Sequence, residues 1–82
     1  MRIDKLLFFL RLAKSRTLAQ NWAETGHIRV NGRRVEKGSL SIAIGDVITL
    51  PIGETVVTIK LLSMPLRRGP ACEALLCYQR ID

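Results

Sequence analysis

The chain has 82 residues, 48% of them apolar, and a net charge of +6. That length suits one domain, residues 1–82, and is too short for two, while the apolar content excludes a disordered tail. A chain this small buries roughly 60–65% of its surface, which leaves a compact core and little room for a deep catalytic cleft. The charge is segregated: residues 1–37 hold nine Lys or Arg against three acids, whereas residues 38–82 hold four of each. Segregation of this kind points to a polyanion, with nucleic acid ahead of an anionic membrane or an acidic protein, and solubility alone as the bland alternative.

Residues 3–13 are the first predicted helix, because Ile3, Leu6, Leu7, Leu10 and Ala13 recur at helical spacing and Phe8 and Phe9 widen the apolar face. The apolar run from Leu6 to Leu10 is too short for a signal-peptide core or a membrane span, and Arg11 and Lys14 follow closely. The segment therefore reads as a core helix of a cytoplasmic protein with no membrane partner. Ser15 is a good N-cap for a second helix over residues 16–25, with Gly26 as its C′ glycine. That helix is two-faced, with Leu18, Ala19, Trp22 and Ala23 on one side and Arg16, Thr17, Gln20, Asn21 and Glu24 on the other. Trp22 thus belongs to the core, with base stacking as the alternative.

After Gly26 the apolar period drops to two. His27-Ile28-Arg29-Val30 alternates, Asn31-Gly32 turns, and Arg33-Arg34-Val35 returns. Asn-Gly is a strong hairpin signal, because a type I′ turn needs positive φ at both central positions. Gly45-Asp46 marks a further turn before a strand over residues 47–50, and Pro51-Ile52-Gly53 is another turn. Residues 55–62 form a β-branched strand, residues 64–70 a loop carrying Arg67 and Arg68, and residues 73–78 the last strand. The fold class is α+β: two packed N-terminal helices followed by short strands in a small, mostly antiparallel sheet.

The chemistry of an enzyme is missing. There is no phosphate-binding glycine loop, His27 is the sole histidine, and Ser15, Ser39, Ser41 and Ser63 lack a base partner. Asp4, Glu24, Glu36 and Asp46 are scattered singly and read as caps, turn formers or solvated ion pairs. Cys72 and Cys77 are too few and too far apart for a metal site. On one strand their odd spacing would place them on opposite faces, and reduced cysteines suit the cytosol. A non-enzyme without cofactor, metal or small-molecule substrate is expected. What remains is a basic surface in which Arg16, Thr17 and Gln20 share a helix face and Arg29, Arg33 and Arg34 line the hairpin beyond it. The helix start adds backbone N–H donors, and the arginine fork suits phosphate.

Arg2-Ile3-Asp4-Lys5-Leu6, Ser15-Arg16 with Ala19, the run from Gly26 to Gly32, and Gly45-Asp46-Val47-Ile48 together resemble the RNA-binding domain first named in the fourth protein of the small ribosomal subunit. The resemblance covers residues 2–50, with residues 51–82 as a C-terminal strand extension. It implies an L-shaped αL RNA-binding motif. Met64-Pro65-Leu66-Arg67-Arg68-Gly69-Pro70-Ala71, with Glu73-Ala74 and Tyr78, resembles the segment that follows this domain in the small ribosome-associated heat-shock proteins of bacteria. Cys72 departs from the proline that family often has there, and its members usually continue into a basic tail.

The resemblance implies binding of structured RNA, chiefly ribosomal RNA, and of the large ribosomal subunit carrying peptidyl-tRNA, in rescue of stalled subunits under heat stress. Transfer RNA is expected as a second RNA partner, and the protein is expected to be a monomer. The implied RNA contacts are Arg2, Lys5, Lys14, Ser15, Arg16, Thr17, Gln20, Arg29, Asn31, Arg33 and Arg34. Ser15 and Asn31 have structural alternatives, as N-cap and turn residue, and Lys5 has one as a solvated helix residue. Recognition is expected through RNA shape and backbone. Two other readings stay open: a stand-alone relative of the accessory modules on pseudouridine synthases or ribosomal-RNA methyltransferases, and a protein-interaction or DNA-binding module.

Overall fold

The structure, a computed structural model, describes residues 1–81; Asp82, the last residue of the predicted extension, lies outside them. Three helices, α1 (Ile3–Phe9), α2 (Arg16–Glu24) and α3 (Ala71–Leu75), accompany five strands: β1 (Arg29–Val30), β2 (Arg33–Arg34), β3 (Val47–Ile52), β4 (Thr55–Leu61) and β5 (Tyr78–Arg80). The strands form one antiparallel sheet in the order β2-β1-β3-β4-β5. Ile3, Leu6, Leu7 and Leu10 of the first helical segment and Ala19 and Ala23 of α2 pack with Ile28, Val30, Ile48, Leu50, Ile59 and Leu61 in one core. Trp22 is only partly buried at its margin. Among the described residues no helix is long and apolar enough to cross a membrane.

The first helix is shorter than its apolar spacing predicts. It stops at Phe9, and Arg11 takes a left-handed φ of 61°. Leu12 and Ala13 then both turn their N–H groups back to the Leu7 carbonyl, at 3.0 and 3.1 Å. Leu10 and Ala13 remain buried, so the burial period outlasts the helix. A left-handed non-glycine residue costs about 1–2 kcal/mol. Here the Arg11 Nε donates to the Gly69 carbonyl at 2.6 Å, and the Arg68 Nε donates to the Phe8 carbonyl at 3.0 Å. These reciprocal bonds tie the 64–70 loop to the helix end, and the Arg68 guanidinium also lies 4.5 Å from the centre of the Phe8 ring.

The second helix follows its sequence signals. The Ser15 hydroxyl accepts from the Leu18 N–H at 3.0 Å, satisfying one of the free donors of the first turn. At the other end Gly26 has φ +79°, with Gly26 N–H donating to Ala23 and His27 N–H to Trp22. That pair of bonds is a Schellman closure, and it needs a residue free to be left-handed at Gly26. Asn31 and Gly32 follow at φ 52° and 81°, the signs a type I′ turn requires.

Two other expectations fail. The turn at residues 51–53 narrows to Gly53-Glu54, because Pro51 and Ile52 pair with Val56 and Thr55. Pro51 is tolerated because β1 pairs only with Ile48 and Thr49, so no neighbour asks for the missing N–H. The predicted last strand over residues 73–78 is instead α3 followed by β5. Pro70 stands at the N-cap of α3, ahead of the helix-favouring Ala71-Cys72-Glu73-Ala74-Leu75. Pairing resumes where Tyr78 meets Leu61. Cys72 and Cys77 are both free and do not share a strand.

Candidate nucleic-acid interface

The chain start is pinned before the helix begins. Arg2 bridges to Ser41, and the N–H groups of Ile3 and Asp4 donate to the carbonyls of Leu40 and Gly38 at 2.8 and 3.2 Å. The segment leading to Ser41 fits between the two helices through Gly38, where a Cβ would meet Gln20 Cα at 3.2 Å and Asp4 Cβ at 3.3 Å. Asp4 is consequently buried, with 2% of its surface exposed. Its carboxylate accepts from Arg2 through Nε at 3.2 Å and Nη2 at 2.9 Å, a fork-to-carboxylate grip. Arg16 Nη2 lies 3.9 Å from Oδ1, the oxygen that also takes the Arg2 Nε–H. Both arginine side chains stay 49% exposed. Arg2, the N-cap of α1, and Arg16, the first residue of α2, are thus gathered around one buried acid.

The second group sits on the hairpin. Register places Arg29 directly opposite Arg34 and Val30 opposite Arg33. Like charges facing each other across strands destabilise the pair. No acid relieves them: Arg29, Arg33 and Arg34 make no side-chain hydrogen bond or ion pair with any described residue, Glu24 and Glu36 included. The Arg34 guanidinium lies where a Cβ of Gly26 would stand, so the glycine that closes α2 also lets this arginine lie against the helix end.

The other predicted contacts divide. Lys14 and Thr17 are exposed and make no side-chain bond among the described residues. Gln20 donates to Glu24 at 3.3 Å, a weak exposed bond. Lys5 lies 5.3 Å from the centre of the Phe9 ring. The Ser15 hydroxyl is engaged as N-cap. Asn31 is engaged at both ends of its amide: its Oδ1 accepts from Val47 N–H at 3.0 Å, its Nδ2 donates to Asp46 at 3.2 Å, and its own backbone N–H donates to the Val47 carbonyl at 2.7 Å. The amide fastens the hairpin turn to β3. Asp4 is the residue that sequence reading passed over. Its signal was its place on the buried side of α1, with Ile3 and Leu7, where a lone acid needs a cation.

The S4 domain model matches residues 1–48, more than half of the chain. The chain belongs to the S4-domain family. The RQC P-site tRNA stabilizing factor of Bacillus subtilis is 42% identical over 60 residues, covering 73% of this chain and 69% of that protein. Heat shock protein 15 of Escherichia coli is 34% identical over 79 residues, covering 96% of this chain and 59% of that protein. A trimeric structure of heat shock protein 15 from Vibrio cholerae superposes with a TM-score of 0.94 at 38% identity, covering 99% of this chain and 81% of that one. The α+β architecture is therefore that of heat shock protein 15. The basic helix-and-hairpin surface lies within the stretch matched as an RNA-binding S4 domain.

Proposed function

We propose that this protein binds structured RNA without changing it chemically, through Arg2, Lys5, Lys14, Arg16, Thr17, Gln20, Arg29, Arg33 and Arg34. Residues 2–50 would supply this RNA-binding core and residues 51–82 its extension, in one domain. The observation that carries the reading is the hairpin: Arg29 and Arg34 directly opposed, Arg33 next along β2 opposite Val30, and no acid among the described residues to neutralise any of the three. A phosphate backbone is the partner that turns this repulsion into attraction. Ser15 and Asn31 are assigned to the fold, since their side chains are committed there.

The target we infer is ribosomal RNA of the large subunit carrying peptidyl-tRNA, in the cytoplasm, with rescue of stalled subunits under heat stress as the task. The names of two relatives, a P-site tRNA stabilizing factor and a heat shock protein, support this. One copy supplies both halves of the basic face, so a monomer suffices for the contact.

Sucrose gradients of lysate containing the tagged protein, wild type and Arg16/Arg33/Arg34→Glu, at low and high salt, test the proposal. Migration of the wild type with free large subunits, lost in the variant and at high salt, is the expected result. Wild type remaining at the top of a low-salt gradient removes the ribosome target. A variant that still travels with the subunit shifts the contact to Leu66, Leu75 and Leu76, which are 95%, 62% and 78% exposed in the neutral half of the chain.

A further inference from the structure

We propose that Asp4 is a positioning residue for RNA recognition, holding Arg2 and Arg16 in the orientation in which they meet the backbone; the inference rests on the RNA-binding reading above. A carboxylate within a basic surface is a paradox on charge alone, because it subtracts from the field that attracts RNA. Its placement resolves the paradox. The Asp4 side chain is 3% exposed while each arginine is 49% exposed, so the acid lies beneath the cations rather than among them. RNA approaching from solvent meets guanidinium groups, not the carboxylate.

The two arginines are held differently. Arg2 commits its Nε and one hydrogen of Nη2 to the carboxylate, which fixes the guanidinium plane and leaves its outer edge to donate. Arg16, at 3.9 Å, is beyond hydrogen-bond range and is oriented by charge with its donors uncommitted. Gly38 and the backbone N–H of Lys5, which donates to Asp4 Oδ1 at 2.6 Å, hold the acid itself in place. Long side chains ordered before binding need not be ordered during it. The hairpin arginines have no carboxylate anchor, although Arg34 lies against Gly26, so the surface pairs an anchored part around Asp4 with a hairpin part whose Arg33 is free to adapt.

Binding of unfractionated transfer RNA, used as a structured-RNA probe, is measured for wild type, Asp4→Asn, Arg2→Gln/Arg16→Gln and the triple combination across a salt series. Asp4→Asn raises the net charge by one, so an acid that mattered only through charge would tighten binding when removed. The positioning role predicts binding weakened roughly tenfold. It also predicts that Asp4→Asn has no further effect in the Arg2→Gln/Arg16→Gln background. Unchanged or tighter binding by Asp4→Asn overturns the proposal, as does a tenfold loss that persists without the two arginines, which marks a merely structural role. Side-chain nitrogen relaxation of the unmutated protein is a check that misfolding cannot spoil: Arg2 Nε–H should be rigid where Arg33 is mobile, and equal mobility contradicts the anchor. Wild type that fails to bind the probe removes the RNA reading and this inference together, whereas normal wild-type binding with Asp4→Asn unimpaired removes this inference alone.

Discussion

Arg33-Arg34 on the hairpin and Arg67-Arg68 in the C-terminal loop are the two Arg-Arg pairs of the chain, and the fold uses them differently. Arg67 pairs with Glu73 at 3.2 Å, and Arg68 donates to Phe8 while covering its ring. Both are engaged within the molecule, and the second closes the end of α1. Arg33 and Arg34 have no acidic partner among the described residues, and Arg34 faces another arginine. The same dipeptide is therefore structural cement in one place and unneutralised charge in the other. Sequence composition cannot separate the two uses; the surroundings do.

The sharpest way to break this contrast is charge reversal. Arg29/Arg33/Arg34→Glu should weaken binding of structured RNA by roughly 100-fold at moderate salt, with a melting temperature unchanged within about 3 °C. Fluorescence anisotropy and thermal melts read the two quantities. Unchanged affinity would mean that the hairpin charge is only solvated.

Gly26→Ala comes next. It forces a side chain at φ +79° into the space of the Arg34 guanidinium. It should cost about 1–3 kcal/mol in a denaturant titration and should also weaken RNA binding, because Arg34 must move. Arg68→Ala should cost about 1–2 kcal/mol, from the lost Phe8 carbonyl bond and ring contact, and should leave RNA affinity within about twofold, because it removes one of the chain's 13 Lys and Arg residues, away from the hairpin. If Arg68→Ala instead weakened RNA binding as the hairpin variant does, the contrast between the two pairs would collapse. Smallest is Ser15→Ala, at about 1 kcal/mol from the lost cap, seen as a lowered denaturation midpoint.

Local signals carried most of the N-terminal half. Ser15, Gly26 and Asn31-Gly32 each act through their own backbone conformation and nearest neighbours, so they were legible one residue at a time. The end of α1 was not, because what stops it is an exchange of bonds between Arg11 and Gly69 and between Arg68 and Phe8, across some 60 positions. α3 differs from its sequence reading for a local reason. Leu75, Leu76 and Tyr78 look like a strand by composition, but Pro70 and the Ala-rich run after it set a helical turn first. Of the site, the cations were visible from charge segregation and family resemblance. Asp4 was not singled out, since its importance lies in burial by Gly38 and in reaching both Arg2 before α1 and Arg16 on α2. Asn31 was legible as a turn residue, but its hold on Val47 and Asp46 was not.

The salt dependence of wild-type binding to structured RNA tests the central claim most directly. With about five phosphates held by the helix and hairpin arginines, log K should fall against log salt with a slope of about −3.5 to −4.5. A slope near zero would contradict the account, because binding would then owe little to phosphate contacts and the unneutralised hairpin charge would have no part in it.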